Sequence, residues 1–390
     1  MIRFRSLSLR LFVVCMLAAC VAPVAAQPSV YYPERGAWEH RAPADVGMDA
    51  AKVDSAVAFA LAHESTQPRD LALMVALSFA REPYNDVIGP TKPRGGAAGL
   101  ILRHGYIVAE WGDTKRVDMT FSVTKSFLST ITGVAYDRGL IRDLDDRVRD
   151  YVPTDHFSSE HNAKITWDHL LRQTSAWEGT LWGKPAWADR PVGNDPMAWP
   201  KQPLPEPGTA WKYNDVRVNV LALAALHVWR KPLPAALREA VMDPIGASNT
   251  WRWEGYENSW VTLDGLRMQS VSGGGHWGGG MFISALDQAR FGYLTLRRGQ
   301  WKDRRIFSEE WYRRATTPTG PNPGYGFMNW FLNTGRERFP SAPESAFAHL
   351  GAGTNMIYVD PEHDLVVVAR WIRRDQLDGL ISRVLAAVEE

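Results

Sequence analysis

The chain carries Phe121-Ser122-Val123-Thr124-Lys125-Ser126-Phe127 at the head of a segment with helical periodicity, from about Val123 to Arg138. Apolar side chains recur on one face of this predicted helix, and Gly139 is placed to end it. Residues at positions i and i+3 share a helix face, so Lys125 can reach the hydroxyl of Ser122. A serine hydroxyl is a weak nucleophile until a base removes its proton, and a neutral lysine can be that base. The motif predicts an activated serine.

Other catalytic signatures are missing from the sequence. No serine lies in Gly-x-Ser-x-Gly, and neither a phosphate-binding Gly-x-x-x-x-Gly-Lys-Ser/Thr loop nor a His-Glu-x-x-His zinc helix occurs. His156, Glu160 and His161 approach a His-x-x-Glu-His pattern but carry one residue too many. We therefore expect no metal and no cofactor. The 44 basic and 43 acidic residues nearly cancel, which argues against nucleic acid as a partner.

Strand patterns lie near both ends of the chain. Residues 100–108 predict a hairpin around His104-Gly105, and 355–359 and 365–371 predict two strands joined by a turn. Asp49 is a candidate N-cap for a helix through about His63, and a last amphipathic helix covers about Leu377–Val388. Terminal strands and helices of this kind predict an antiparallel sheet flanked by terminal helices.

The middle of the chain has a different pattern. Residues 140–280 contain helical pieces at Trp167–Arg172 and Val218–Trp229, joined by long loops rich in Pro, Gly and Trp. We therefore predict an α+β protein with an inserted, mostly helical lobe. The expected catalytic domain is residues 27–390, with about 40–120 and 281–390 in an α/β lobe and about 121–280 in the helical lobe.

Residues 1–26 predict an export signal. Three arginines precede the apolar run Leu11–Ala19, and Val24-Ala25-Ala26 provides a small-residue cleavage site. Leu17-Ala18-Ala19-Cys20 is also similar to the lipobox of bacterial lipoproteins, and the two cleavage interpretations stay open. We expect a periplasmic or secreted protein, with membrane contact only if Cys20 carries a lipid anchor. Both cysteines, Cys15 and Cys20, lie in this segment, so the expected mature domain has no disulfide.

Five segments, in order along the chain, resemble motifs of the β-lactamase-related serine hydrolases. This family includes class C β-lactamases, DD-peptidases, family VIII esterases and 6-aminohexanoate-oligomer hydrolases. The segments are Phe121–Phe127, Ile165–Ser175, Pro207–Asp215, Gly279–Phe291 and His349-Leu350-Gly351. The resemblance as a whole extends from about residue 40 to the C-terminus. The resemblance implies a β-lactamase/transpeptidase-like fold.

The resemblance also implies a role for each matching residue. Ser122 would attack the substrate carbonyl and form an acyl-enzyme, with Lys125 as its proton partner. Tyr213 would be the second acid–base group, and which member of the Lys125–Tyr213 pair is the base stays open. The backbone N–H groups of Ser122 and Ala352 would form the oxyanion hole.

Two positions depart from the usual motifs. Asp215 replaces the asparagine of the second motif, and its carboxylate would favour a charged Lys125 unless it points away or only orders the site. His349 replaces the lysine of the third motif, and we place it among the catalytic residues by that position. We assign Asp215 and Gly351 to substrate binding. A neutral histidine in place of a fixed cation favours substrates that lack a carboxylate.

Tryptophans are concentrated in the middle of the chain, with eleven of seventeen between Trp167 and Trp277. Aromatic side chains line many ligand pockets, so Trp177 and Trp277 are candidate substrate contacts for an acyl or ring-bearing group. Packing of a loop-rich lobe is the alternative. The glycines of 273–280 predict either a mobile rim or tight turns.

The expected activity is hydrolysis of a small ester or amide by an exported serine hydrolase. Two alternatives remain at this point. One is a penicillin-recognising DD-peptidase or β-lactamase, and the other is a non-catalytic envelope binding protein on the same fold.

Overall fold

Antiparallel strands and short helices alternate along the part of the chain that the computed structural model describes, Met1 and residues 30–389. The predicted signal segment, with Cys15 and Cys20, lies outside this part except for Met1. In chain order the strands are β1 (Ala98–Arg103), β2 (Tyr106–Trp111), β3 (Asp118–Met119), β4 (Thr180–Leu181), β5 (Lys184–Pro185), β6 (Arg252–Leu263), β7 (Leu266–Val271), β8 (Gly280–Ile283), β9 (Gln300–Trp301), β10 (Arg304–Arg305), β11 (Phe331–Leu332), β12 (Phe347–Gly351), β13 (Asn355–Asp360) and β14 (Leu365–Arg370).

The helices are mostly short. In chain order they are α1 (Ala50–Ala62), α2 (Leu71–Ser78), α3 (Thr124–Asp137), α4 (Trp167–Leu171), α5 (Asp215–Trp229), α6 (Leu233–Leu237), α7 (Ala285–Leu296), α8 (Glu309–Ala315) and α9 (Leu377–Ala386). The predicted cap of α1 is confirmed, because Asp49 Oδ1 accepts the backbone N–H of Lys52 at 3.1 Å. None of the described helices is long and apolar enough to cross a bilayer.

The main sheet joins strands from the two ends of the chain in the order β11-β12-β13-β14-β1-β2, and every neighbouring pair is antiparallel. Strand β14 is buried along its whole length. Val367 shares an apolar cluster with residues of α1 and α9, whereas Val366 and Val368 share one with residues of α7. Helices therefore cover both faces, which explains why β14 is continuously apolar instead of alternating. The predicted α+β class is confirmed.

A second sheet, which the sequence analysis did not anticipate, has the strand order β3-β8-β6-β7. Its hairpin β6–β7 adds strands to the region expected to be mostly helical. The polar residues of β6 obscured the strand pattern, but the turn Asp264-Gly265 is a strong local signal. Both residues have positive φ, 52° and 78°, as a tight hairpin turn of this type requires. This sheet borders the start of α3 through β3 and β8, and thereby supports the candidate site.

Candidate active site

The predicted serine–lysine pair is formed at the start of α3. A single turn of 3-10 helix, Phe121–Val123, precedes α3 and presents Ser122 beside Lys125. Lys125 Nζ donates a hydrogen bond to Ser122 Oγ at 2.7 Å, and the lysine is fully buried. Phe121 has a φ of 49°, in the left-handed region that a phenylalanine rarely adopts. Such backbone strain is concentrated at functional sites.

Asp215 lies at the start of α5 and points at Lys125. Its Oδ1 atom accepts a hydrogen bond from Lys125 Nζ at 2.7 Å, and both side chains are essentially inaccessible to solvent. The sequence analysis left open whether this carboxylate faces the lysine, and the structure shows that it does. Asp215 was also assigned to substrate binding, but only 1% of the residue is exposed, so its contacts are with protein groups.

A second cation balances Asp215. Arg190 Nη1 lies 2.8 Å from Asp215 Oδ2 and 2.5 Å from Asp189 Oδ1. The Asp189 carboxylate also accepts the backbone N–H of Asp215. The arginine therefore shares the carboxylate of Asp215 with Lys125, one cation on each oxygen.

Behind this arginine, His276 extends the network. Its Nδ1 atom is 3.1 Å from Arg190 Nη2, and its Nε2 atom is 2.7 Å from Glu82 Oε2. Glu82, Asp189 and His276 are close enough together to resemble a metal site. The guanidinium of Arg190, however, already supplies a positive charge to this cluster. We assign the cluster to charge balance around Asp215.

The electrostatics favour a neutral phenol and weaken the hold of Lys125 on its proton. Burial lowers the pKa of Lys125 below its ordinary value, and the Arg190 charge lowers it further, against the opposing effect of Asp215. Burial and the charge of Asp215 raise the pKa of Tyr213. Lys125 Nζ lies 4.7 Å from the centre of the Tyr213 ring, which places the two groups side by side next to Ser122.

The end of β12 borders Ser122. Gly351 approaches the chain so closely that a methyl group there would overlap the carbonyl oxygen of Thr120 and lie 3.2 Å from the Ser122 nitrogen. Ser122, Tyr213, Gly351 and Ala352 line one cleft of about 540 Å³. The structure thus brings the two predicted oxyanion-hole residues, Ser122 and Ala352, to the same cleft.

Close approach of the backbone to neighbouring groups also explains why glycine occurs in segment 273–280. All eight residues are buried, so this segment is not an exposed rim. A methyl group on Gly274 would overlap both Asp215 Oδ1 and Lys125 Nζ. The backbone at Gly274 therefore covers the ion pair directly, which only glycine permits.

His349 is not among the residues that line the cleft. It is fully buried, and its ring packs among Phe291, Trp330 and Phe347. Its Nδ1–H donates to the Asn329 carbonyl at 3.3 Å, and burial lowers its pKa to about 3. We therefore correct its catalytic assignment, because a neutral side chain enclosed by aromatic rings does not line the cleft.

The two tryptophans assigned to substrate binding do not line the cleft either. Trp277 is 2% exposed and packs against Tyr256 and His276. Trp177 is 1% exposed and forms a wall of a different cavity. For Trp277, packing of the lobe is the better account.

Arg190, Asp189 and Glu82 were missed by the sequence analysis. Asp189-Arg190 lies in an irregular loop, and Glu82 is more than a hundred residues away. An ion pair between distant loops leaves no local pattern. The one usable signal was Asp215 itself, because a buried carboxylate implies a cation to balance it.

Comparison with known protein families identifies the family of this chain. The model of the Beta-lactamase family matches residues 55–375. This chain belongs to the Beta-lactamase family. Among curated proteins, no sequence gives a significant match.

Solved structures agree with this Beta-lactamase assignment in fold. They include a β-lactamase from Mycobacterium bovis, with 22% identity and a TM-score of 0.53 over 75% of this chain and 95% of that one. A family VIII carboxylesterase has 19% identity and a TM-score of 0.56 over 87% of this chain and 96% of that one. An octameric penicillin-binding protein homologue from Pyrococcus abyssi has 16% identity and a TM-score of 0.55 over 87% and 77%.

The predicted β-lactamase/transpeptidase-like fold is therefore confirmed. Members of the Beta-lactamase family are serine hydrolases, and this coarse activity applies to the chain.

Proposed function

We propose that this protein is an exported serine hydrolase that cleaves a small ester or amide through an acyl-enzyme on Ser122. The observation that carries the proposal is the 2.7 Å hydrogen bond between Lys125 Nζ and Ser122 Oγ, made by a fully buried lysine. Burial opposes the charged form of the amine, so the lysine can accept the serine proton.

In the acylation step, Lys125 takes the proton from Ser122 Oγ as that oxygen bonds to the substrate carbonyl carbon. The backbone N–H groups of Ser122 and Ala352 stabilise the negative charge that develops on the carbonyl oxygen. Tyr213 donates its phenolic proton to the leaving alcohol or amine as the carbon–oxygen or carbon–nitrogen bond breaks. Lys125 returns a proton to the tyrosine, and both groups are reset.

In deacylation, a water molecule replaces the leaving group. Tyr213 takes a proton from this water and passes its own phenolic proton to Lys125 as the water oxygen attacks the ester carbon of the acyl-enzyme. The bond to Ser122 Oγ breaks, and the serine recovers its proton. The pKa directions support Lys125 as the first base, because its pKa is lowered whereas that of Tyr213 is raised.

A second candidate function is turnover of a carboxylate-bearing β-lactam or peptide. The third motif supplies no lysine, and His349 is withdrawn into the core. However, Arg338 and Arg374 line the same cleft as Ser122. Because these arginines could hold a carboxylate, the absence of the motif lysine does not by itself exclude such substrates.

A fluorophosphonate probe and intact-mass measurement test the nucleophile. We expect one adduct on the wild type and none on Ser122→Ala. Ser126→Ala is the matched control, because Ser126 is a buried serine on the same helix and should leave labelling intact. No adduct on a folded wild type would refute the proposal and favour the binding-protein alternative.

Substrate class is tested next with short-chain p-nitrophenyl esters, anilides and nitrocefin. Turnover of the esters or anilides without nitrocefin hydrolysis supports the first candidate. Nitrocefin hydrolysis that is lost in Arg374→Gln, with ester turnover retained, would favour the second.

Export is part of the proposal and rests on residues 1–26. Cell fractionation and labelling with a radioactive fatty acid test the two cleavage alternatives. Label that is lost in Cys20→Ser but retained in Cys15→Ser would show a lipid anchor. Processed, unlabelled protein outside the cytoplasm would indicate cleavage after Ala26, and unprocessed cytoplasmic protein would contradict export.

A further inference from the structure

A second cavity lies beside the catalytic cleft, in the loop-rich region that precedes α5. It encloses about 490 Å³, within the size range of small-molecule sites. Trp177, Trp187 and Trp199 contribute aromatic walls. Three cationic side chains, those of Lys201, Lys212 and Arg217, also line it, as does one acidic residue, Glu178.

Arg217 is the most informative of these residues. It lies in the first turn of α5 and is only 6% exposed. Its Nε–H donates to the Trp177 carbonyl at 3.2 Å. Among residues 30–389, its two terminal nitrogens have neither a hydrogen-bond acceptor nor a carboxylate within ion-pair distance. The Asp189 carboxylate acts on this guanidinium only from beyond ion-pair distance, so the two terminal nitrogens are left to donate to a ligand in the cavity.

Lys212 places a second cation near Arg217. Burial and the neighbouring Arg217 charge both lower the pKa of Lys212, so the two cations repel each other. Burial likewise lowers the pKa of Arg217 to about 10. The acid of the cavity, Glu178, is exposed and its carboxylate accepts a hydrogen bond from Ser159 Oγ at 3.2 Å. A bound anion would relieve the repulsion and supply the missing acceptors.

We infer that this cavity is a second binding site, distinct from the Ser122 cleft, for a small organic anion with a flat apolar body. The carboxylate or similar group of the ligand pairs with Arg217 and Lys212, and its apolar body packs against the tryptophans. Aromatic walls alone would accept neutral ligands, whereas the buried guanidinium selects for negative charge.

The segment 210–213 separates this site from the catalytic cleft. Ala210 and Lys212 line the cavity, whereas Trp211 and Tyr213 line the cleft. The lining residues of the two pockets do not overlap. The anion site is therefore a neighbour of the Ser122 cleft and not an extension of its lining.

Isothermal titration calorimetry with 1-naphthoate tests this inference, with 1-naphthamide as a neutral ligand of the same shape. We expect saturable naphthoate binding to the wild type, at least about tenfold tighter than naphthamide binding. Arg217→Gln should weaken naphthoate binding about tenfold or more and leave naphthamide binding unchanged. Ser122→Ala should change neither, because Ser122 lies in the other cleft.

Two further variants test whether naphthoate binds in this cavity and not in the catalytic cleft. Arg374→Gln removes a cation of the catalytic cleft, so it should leave naphthoate affinity unchanged. If Arg217→Gln fails to fold, judged by its melting curve, Lys212→Gln replaces a less buried cation of the same site and should weaken naphthoate binding about threefold or more. No saturable binding, equal affinity for both ligands, or weakening by Arg374→Gln alone would overturn the inference.

Discussion

Replacing Arg190 with glutamine would remove the cation that faces the second oxygen of Asp215. In the wild type, Lys125 Nζ lies 2.7 Å from one carboxylate oxygen and Arg190 Nη1 lies 2.8 Å from the other. The arginine weakens the attraction that Asp215 exerts on the lysine proton. Without it, the carboxylate holds the proton more strongly, so Lys125 keeps its charge to higher pH and is a poorer base.

The size of this effect follows from the separation of the two charges. Cations on opposite oxygens of one carboxylate lie ~6 Å apart, and at an effective dielectric constant of ~20 they repel by ~3 kcal/mol. That energy moves the acid limb of the pH–rate profile by ~2 pH units toward higher pH. At a fixed pH on that limb, kcat/KM should fall roughly 100-fold.

The assay is kcat/KM against pH for an ester that the wild type hydrolyses. Arg190→Gln should move the acid limb to higher pH, and the activity at high pH should approach the wild-type value. Arg190→Lys retains a cation at this position and should move the acid limb much less. In the double variant Arg190→Gln with Asp215→Asn, the uncompensated carboxylate that contacts Lys125 is gone and only that of Asp189 remains, so the limb should return part of the way toward lower pH.

A lower rate at every pH, with the limb unmoved, would refute this reasoning and show that Arg190 acts through folding or substrate binding. Failure of Asp215→Asn to reverse the shift would refute it as well. Thermal melting of each variant separates loss of structure from loss of charge balance.

Three other substitutions test separate features. Gly274→Ala should lower kcat/KM by about 100-fold or more, because the methyl group overlaps the buried ion pair, whereas Gly320→Ala, which has open space around it, should have wild-type activity. His349→Phe should leave the shape of the pH–rate profile unchanged, since the histidine pKa is already lowered to about 3; a moved limb would restore His349 to the mechanism. Asp49→Ala should reduce the free energy of unfolding by about 1 kcal/mol without loss of activity, and Asp54→Ala, an exposed residue within α1, should cost less; equal losses would contradict the capping role.

Local sequence patterns were sufficient for the elements that form the frame of the site. The periodicity of 123–138 predicts the helix that holds Ser122 and Lys125, and the observed α3 covers Thr124–Asp137. The hairpin at 100–108 is also present, as β1 and β2. These features depend on contacts between residues close in sequence, whose spacing is visible in the chain.

The hairpin β6–β7 shows where such patterns fail. Its longer strand contains Glu, Gly and Asn, and one of its edges pairs with β8, so no simple alternation marks a buried face. The Asp264-Gly265 turn carried the information that the strand residues did not.

The sequence by itself determined the family resemblance, the serine–lysine pair and the problem posed by an aspartate at position 215. Only the tertiary structure decided how that problem is solved, because Arg190 and His276 reach Asp215 from separate segments of the chain, and Glu82 joins the network through His276. It also decided that His349 is enclosed by aromatic rings and that Trp177 faces a cationic cavity. The spacing of residues along a helix depends on neighbours in the sequence, whereas burial and charge balance depend on groups that meet only when the chain has folded.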